Sequence, residues 1–295
     1  MWVVYALLTA LFAFLTMILA KVDLKRLDSN VAIAIRTGSV LVMAWVVVLV
    51  AGCADKSRNL NRTHMPSLAN ENWKIFYCIH RVTAVPPLTC DWHDPAWQGA
   101  ETAELTHVRP EGSDHRPKVA VRLLHDDSHI YGLFQVHDQF VRAVNIGYQA
   151  TVYKDSCVEF FFKPDVGYGY FNLEMSAGGS YLFQYVRDRQ RPKDGLANYS
   201  PVDEAYGRML TVKTTLPERI EPEIEEPLTW YLQFVIPIAA LEPYCGKIGA
   251  LEKRTWRGNF YKCADATSHP HWLAWAPLPR LSHHLPECFG TLTLE

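Results

Sequence analysis

Two strand-length runs and the turn between them decide the fold: CVEFFFK at Cys157–Lys163, PDVGYG at residues 164–169, and YFNLEM at Tyr170–Met175. Apolar side chains, many of them aromatic, dominate both runs, and Pro, Asp and Gly in the connection are typical of a turn. Pairing the last residue of the first run with the first residue of the second predicts an antiparallel hairpin. In that register Glu159 lies directly opposite Glu174.

The predicted hairpin has an apolar face and a polar face. Phe160 and Phe162 share a face with Phe171 and Leu173, so we expect that face to lie in the core. The other face carries Asp155, Cys157, Glu159, Asn172 and Glu174. Like charges directly opposite each other destabilise a sheet, so we expect a compensating group here: a cation, an arginine, a shared proton or a hydroxyl network. The alternative is a solvated polar face beside a Lys or Arg.

The same strand pattern recurs along the chain. Four further runs of strand length lie at residues 119–123, 130–136, 180–186 and 229–236, and no segment has a helical period over fifteen residues. About 220 residues of this kind predict an all-β fold, one antiparallel β-sandwich rather than two domains. With 49% hydrophobic and 20% charged residues among 295, the composition excludes disordered and collagen-like chains.

Charge is distributed unevenly between the two ends of the chain. Residues 1–62 carry a net charge of +4, whereas the rest carries −6, with all twelve His and no basic run. Binding to a phosphate backbone needs a basic patch. We therefore do not expect nucleic acid to be a partner.

The first fifty residues are predicted to lie in a membrane. Residues 2–20 are apolar and long enough to cross a bilayer, and so are residues 37–52 if residues 31–35 join them. The run YALLTALFAFLTMILAKVDLKRLDSNVAIAIRT resembles the first helical hairpin of EamA-like drug/metabolite transporters. No later run is long enough to span, so we expect residues 1–53 to form a transmembrane helical hairpin that serves as an anchor.

The last residues of this predicted hairpin also allow an alternative interpretation. Val50-Ala51-Gly52-Cys53 has the small-residue pattern of a lipoprotein cleavage site, so lipidation of Cys53 is an alternative to the hairpin. Residues 54–72 are polar and aperiodic, which predicts a linker before a body at residues 73–295. Either reading predicts a membrane-anchored protein, with its body on the extracytoplasmic side of a bacterial membrane.

Several strings in the body together resemble one family, the carbohydrate-binding family 9-like domain. They are DWHDPAW from Asp91, DDSHIYGLFQVHD from Asp126, KDSCVEFFF from Lys154, GNFYKCADATSHPHWLAWAPL from Gly258, and the terminal PECFGTLTLE. The resemblance covers residues 75–295. It implies a sandwich that holds a sugar between aromatic rings, clamps its hydroxyls with polar side chains, and contains calcium.

Carried over residue by residue, the resemblance implies a set of sugar-binding residues. Tyr153 is the first stacking platform, where the family uses Trp, and Glu159 accepts from sugar hydroxyls. Trp272 is the second platform, with Trp275 in reserve because rings three residues apart on a strand face opposite sides. Asn172, on the polar face, and Asn259 complete the predicted binding set.

Metal and thiol chemistry are less well defined by the sequence. Ca²⁺ between the carboxylates of Asp155 and Glu174 is possible, because calcium prefers oxygen ligands. The His269/His271 and His283/His284 pairs lack a third ligand for zinc. The body also contains six Cys, an even number that permits disulfides in an exported domain without specifying a pairing.

The sequence is consistent with three functional hypotheses. The first is a membrane-tethered, non-catalytic module that captures an oligo- or polysaccharide. The second is a glycoside hydrolase in which Glu159 and Glu174 act as acid/base and nucleophile, because direct cross-strand neighbours give the short carboxyl separation of retaining enzymes. The third is a transporter-derived fusion whose body has no ligand.

Overall fold

The computed structural model describes residues 75–188 and 198–295. The hairpin predicted for residues 1–53, with Cys53, and the linker predicted for residues 54–72 lie outside the described residues. Within the described ranges, no helix combines the length and the apolar character needed to cross a membrane.

Strands dominate the described residues, as the alternation predicts. They are β1 (Phe76–Arg81), β2 (Ala103–Glu104), β3 (His107–Val108), β4 (Lys118–His125), β5 (His129–Asp138), β6 (Val141–Ala143), β7 (Cys157–Lys163), β8 (Tyr170–Ser176), β9 (Tyr181–Asp188), β10 (Asn198–Pro201), β11 (Thr211–Thr214), β12 (Ile220–Ile224), β13 (Leu228–Pro237), β14 (Thr255–Cys263), β15 (Trp272–Ala274) and β16 (Gly290–Leu294). The described helices are short: α1 (Glu204–Gly207), α2 (Glu242–Cys245), and 3-10 turns at Pro95–Trp97, Val152–Lys154, Ile238–Ala240 and Pro286–Cys288.

Fourteen of these strands form one continuous sheet that folds over into two layers. The strand order is β10-β9-β8-β7-β14-β16-β1-β4-β5-β13-β11, with β2, β3 and β15 at the sides. Strand β1 belongs to both layers, since Phe76–Ile79 pairs with β16 while His80 and Arg81 pair with β4. Both pairings are parallel, so the sandwich is not antiparallel throughout, contrary to the prediction from the sequence. Strands β6 and β12 form a separate two-stranded sheet.

Aromatic rings from the two layers meet in the core. Phe160 of β7 packs against Phe234 of β13 with ring centroids 6.1 Å apart, and Phe260 of β14 packs against Phe134 of β5 at 6.3 Å. All four rings are fully buried, and burial of each contributes roughly 1.5–3 kcal/mol. The predicted all-β sandwich is therefore confirmed.

The register of the β7–β8 hairpin is also as predicted. Phe162 lies opposite Phe171, and Glu159 lies opposite Glu174. The predicted apolar face is in the core, and the polar face points away from it. This register places the hairpin's acidic residues on the outer side of the first layer.

A buried ion pair joins the two layers at one end. The Lys262 ammonium of β14 contacts the carboxylate of Asp138 in β5 at 3.4 Å, Nε2 of His271 at 2.8 Å and the carbonyl oxygen of Cys263 at 3.2 Å. These three acceptors match the three N–H groups of an ammonium. His271 Nδ1 donates to the His269 carbonyl oxygen, so its Nε2 is unprotonated and accepts. Burial and the neighbouring ammonium lower the pKa of His271 to about 3.

Gly132 leaves room for the Phe234 ring of the neighbouring strand. It lies directly opposite Phe234 in the β5–β13 pair, and a methyl group at this position would overlap the Phe234 ring. We expect Gly132→Ala to lower the free energy of unfolding by about 1–3 kcal/mol through overpacking, measured by urea denaturation. Gly99→Ala, at an exposed position with open space, is the matched control and should change it by less than about 0.5 kcal/mol. Equal effects of the two substitutions would contradict the packing argument.

The lowered pKa of His271 predicts a pH dependence of stability. In the unfolded chain His271 binds a proton below about pH 6.5, whereas in the folded chain it stays neutral down to about pH 3. The free energy of unfolding therefore falls as the pH falls from about 6.5 to about 3. His271→Gln removes this titrating group. The slope of the free energy of unfolding against pH should therefore decrease by about 1.4 kcal/mol per pH unit between about pH 4.5 and 6.

Urea unfolding at several pH values measures this slope. His93→Gln, at an exposed position, is the control and should leave the slope unchanged. Parallel curves for the wild type and His271→Gln would show that His271 titrates normally in the folded protein.

Candidate functional site

A pocket of about 460 Å³ lies beside the polar face of the hairpin. Five of the residues that the sequence singles out line it: Tyr153, Glu159, Asn172, Glu174 and Trp272. Strands β7 and β8 supply the two carboxylates and the amide, because their side chains alternate between core and pocket. The pocket is therefore built on paired strands of the first layer.

Sheet pairing brings the two predicted aromatic platforms to this pocket. Tyr153 lies in the 3-10 turn before β7, and Trp272 begins β15. Trp272 pairs with Cys263 of β14, and Cys263 pairs with Cys157 of β7. The amide of Asp265 donates to the Tyr153 carbonyl oxygen at 3.1 Å, and Trp272 Nε1 donates to Asp265 Oδ1 at 2.7 Å. Both rings are half-buried.

Two other predicted residues do not line the pocket. Asn259 is fully buried and ties β14 to the chain beyond β15, because Nδ2 donates to the Ala276 carbonyl oxygen and Oδ1 accepts from the Ala276 amide. Trp275 packs against Phe260 with ring centroids 5.4 Å apart and is only 7% exposed. Strand alternation sends Trp272 and Trp275 to opposite faces. Both Asn259 and Trp275 therefore hold the interior together.

The two residues of the predicted calcium site differ in their surroundings. Asp155 is fully buried, and its Oδ2 accepts from the amides of Val144 and Asn145 at 3.0 and 2.8 Å. It does not line the pocket, whereas Glu174 does. In the described part of the chain, the clusters of potential metal ligands include neither residue. Asp155 thus orders the turn after β6 through Oδ2, and calcium at Asp155 and Glu174 stays a prediction.

Glu159 is held on both oxygens by residues distant in sequence. The Cys263 thiol donates to Oε1 at 2.9 Å, and Nδ1 of His283 lies 2.8 Å from Oε2. The His283 ring stacks on Tyr261 with centroids 4.1 Å apart and planes 3° apart. Its Nε2 is buried and has no hydrogen-bond partner among the described residues.

Asn172 supports the second carboxylate. Its Nδ2 donates to Glu174 Oε1 at 2.9 Å, while its Oδ1 is buried with no hydrogen-bond partner in the described ranges. Hydrogen bonds from Asn172, Cys263 and His283 thus accompany the two opposed carboxylates. None of the described residues lining the pocket is Lys or Arg, so the arginine considered from the sequence is not what compensates them.

Sequence reasoning missed several further residues that line the pocket. Cys263, Asp265, His283 and His284 line the pocket together with Leu182, Gln184, Tyr199, Leu281 and Ser282. The two adjacent histidines were visible only as an incomplete zinc motif. No local signal connects residues 281–284 to the β7–β8 hairpin, because that contact depends on how the loop before β16 packs on the sheet.

Comparisons with known proteins agree on the fold of the body. The profile of the family described as Carbohydrate-binding family 9 matches residues 97–294. A crystal structure of a Bacteroides uniformis protein proposed to bind carbohydrate is 29% identical, with a TM-score of 0.65 over 75% of this chain and 99% of that chain. Among curated proteins, none matches this chain.

Two structures of a family 9 carbohydrate-binding module from Caldicellulosiruptor kristjanssonii are more distant. The complex with cellotriose is 13% identical with a TM-score of 0.48, over 75% of this chain and 94% of that chain. The complex with glucose is 14% identical with a TM-score of 0.47, over 74% and 95%. The profile match covers well over half of the sequence, and on that basis the chain belongs to carbohydrate-binding family 9.

Proposed function

We propose that this protein binds a carbohydrate in the pocket beside the β7–β8 hairpin and does not cleave it. One observation carries the proposal: two half-buried aromatic rings, Tyr153 and Trp272, line the same pocket as Asn172 and His283. The latter two each have a buried polar atom with no hydrogen-bond partner in the described structure. A buried polar group of this kind is costly unless a ligand satisfies it.

A sugar matches this combination chemically. The C–H face of a pyranose packs on an aromatic ring, and its hydroxyls both donate and accept. Asn172 Oδ1 accepts from a hydroxyl, and so does His283 Nε2 when Nδ1 carries the proton toward Glu159. Membership of carbohydrate-binding family 9 and the similarity to the Bacteroides uniformis protein support the same conclusion.

The charge of the pocket favours neutral over acidic sugars. Glu159, Glu174 and Asp265 line it, and no described lining residue is Lys or Arg. A uronic acid would bring a fourth carboxylate into a site without a permanent cation. Coulomb repulsion between like charges in a partly buried site disfavours such binding.

The state of Glu159 argues against the hydrolase hypothesis. Its carboxylate is nearly fully buried, and both oxygens are engaged, one by a thiol and one by an imidazole. A nucleophile or proton donor must come within hydrogen-bond reach of the reacting group, and in this structure both oxygens bond to protein groups instead. Glu159 therefore serves to shape the pocket.

Attachment to a membrane is a separate part of the proposal. It rests only on the apolar character of residues 2–20 and 37–52 in the sequence. An anchored body would capture glycans at an extracytoplasmic surface.

Loss of the Trp272 ring should weaken sugar binding. We expect Trp272→Ala to raise the Kd for the best ligand from a panel of neutral gluco-, xylo-, manno- and galacto-oligosaccharides by about tenfold, equivalent to about 1.4 kcal/mol. Isothermal titration of the full-length chain measures this. Tyr168→Ala removes a 95% exposed ring that does not line the pocket and should leave the Kd unchanged.

An assay for reducing sugar in the same samples distinguishes binding from hydrolysis. Release of reducing sugar that disappears in Glu159→Gln would establish the hydrolase and overturn the non-catalytic proposal. An unchanged Kd in Trp272→Ala, with its near-ultraviolet circular dichroism intact, would place the sugar elsewhere.

The affinity of the pocket should also depend on the charge of the sugar. The neutral oligosaccharide that binds most tightly should bind at least about tenfold better than its uronic acid counterpart of the same stereochemistry and length, because of carboxylate repulsion. Added salt should narrow this difference. Equal or tighter binding of the uronic acid form would show that the acidic residues do not face the ligand.

A further inference from the structure

Two cysteines and a carboxylate meet beneath the pocket. Cys157 of β7 and Cys263 of β14 lie directly opposite each other across the pair of strands. Their Sγ atoms and a Glu159 carboxylate oxygen all lie within 4.8 Å of one another, and Cys263 Sγ is 2.9 Å from Glu159 Oε1. The three residues are between 0 and 2% exposed. Both cysteines are free thiols in the structure.

We infer that Cys157, Cys263 and Glu159 form a binding site for a thiophilic divalent metal ion such as Zn²⁺. Zinc is bound by cysteine sulfur and by carboxylate oxygen, usually with four ligands in a tetrahedron. Calcium and magnesium prefer oxygen ligands, so a site with two sulfurs disfavours them. The three protein ligands leave one coordination position for water or another group. This inference does not rest on the proposed sugar binding.

The ion reaches the site through the pocket, which both Glu159 and Cys263 line. His283 orients the Glu159 carboxylate from its other oxygen, at 2.8 Å, and is itself held by stacking on Tyr261. Partners of this kind around a metal ligand fix its orientation and strengthen binding. The carboxylate is thus positioned before an ion arrives.

Metal uptake exchanges two protons for one ion. Each thiol loses its proton to water as its sulfur bonds to the ion, and the carboxylate binds in its ionised form, so one M²⁺ enters and two H⁺ leave. Burial raises the pKa of Cys157 to about 12 and that of Cys263 well above its usual value. Without metal, both thiols are therefore protonated at neutral pH. The Cys263 S–H group donates a hydrogen bond to Glu159 Oε1.

Cobalt is the probe for this site. Co²⁺ added to the full-length chain under a non-thiol reductant should give a thiolate-to-cobalt charge-transfer absorption that saturates at one ion per chain. Added Zn²⁺ should abolish it.

Variants assign the absorption to these residues. Cys157→Ala and Cys263→Ala should each lose it. Cys90→Ala, at another buried thiol whose Sγ contacts the Lys213 carbonyl oxygen, should keep it. Absence of the absorption in the reduced wild type, or its survival in the folded Cys157→Ala Cys263→Ala chain, would overturn the inference.

A second measurement needs no variant. The zinc K-edge X-ray absorption of the one-to-one Zn²⁺ complex of the wild type should show two sulfur ligands at about 2.3 Å. A ligand shell without two sulfurs, or failure to bind zinc, contradicts the site. Since neither readout involves a sugar, failure here is distinguishable from failure of the carbohydrate proposal.

Discussion

Two carboxylates lie directly opposite each other across β7 and β8, and much of the pocket is organised around their repulsion. Glu159 and Glu174 are both buried, so neither charge is well screened by water. Asn172 donates to one of them, and the Cys263 thiol and the His283 imidazole hold the other. Cys263 lies on β14 and His283 in the loop before β16, so their hydrogen bonds to Glu159 tie these two segments to β7.

Strand β14 connects this pocket to the interior. Its side chains alternate, so Phe260 and Lys262 face the second layer while Tyr261 and Cys263 face the pocket side. The Lys262 ammonium bonds to Asp138 of β5 and thereby holds the two layers together. Breaking such a buried pair by removing one partner costs about 3–5 kcal/mol. The same strand thus supplies both the support and one wall of the site.

The chemistry of the pocket follows from what surrounds its polar groups. Half-buried rings, buried acceptors and the absence of Lys and Arg among the described lining residues suit a neutral, hydroxyl-rich ligand. The paired thiols of Cys157 and Cys263 suit a thiophilic metal ion. These two chemistries share Glu159, whose Oε1 accepts from Cys263 while its Oε2 meets His283.

The sequence by itself determined the all-β class, the core face of the hairpin and its register, because the period of two is a local property of a strand. It also identified Tyr153, Glu159, Asn172, Glu174 and Trp272, which the structure brings to one pocket. Only the tertiary structure decided that Asn259 and Trp275 are interior, and that Asp155 caps a turn. It alone brought Cys263 and His283 to Glu159, 104 and 124 residues away along the chain. Such contacts depend on which strands pair and how loops pack over them, and no local pattern encodes that choice.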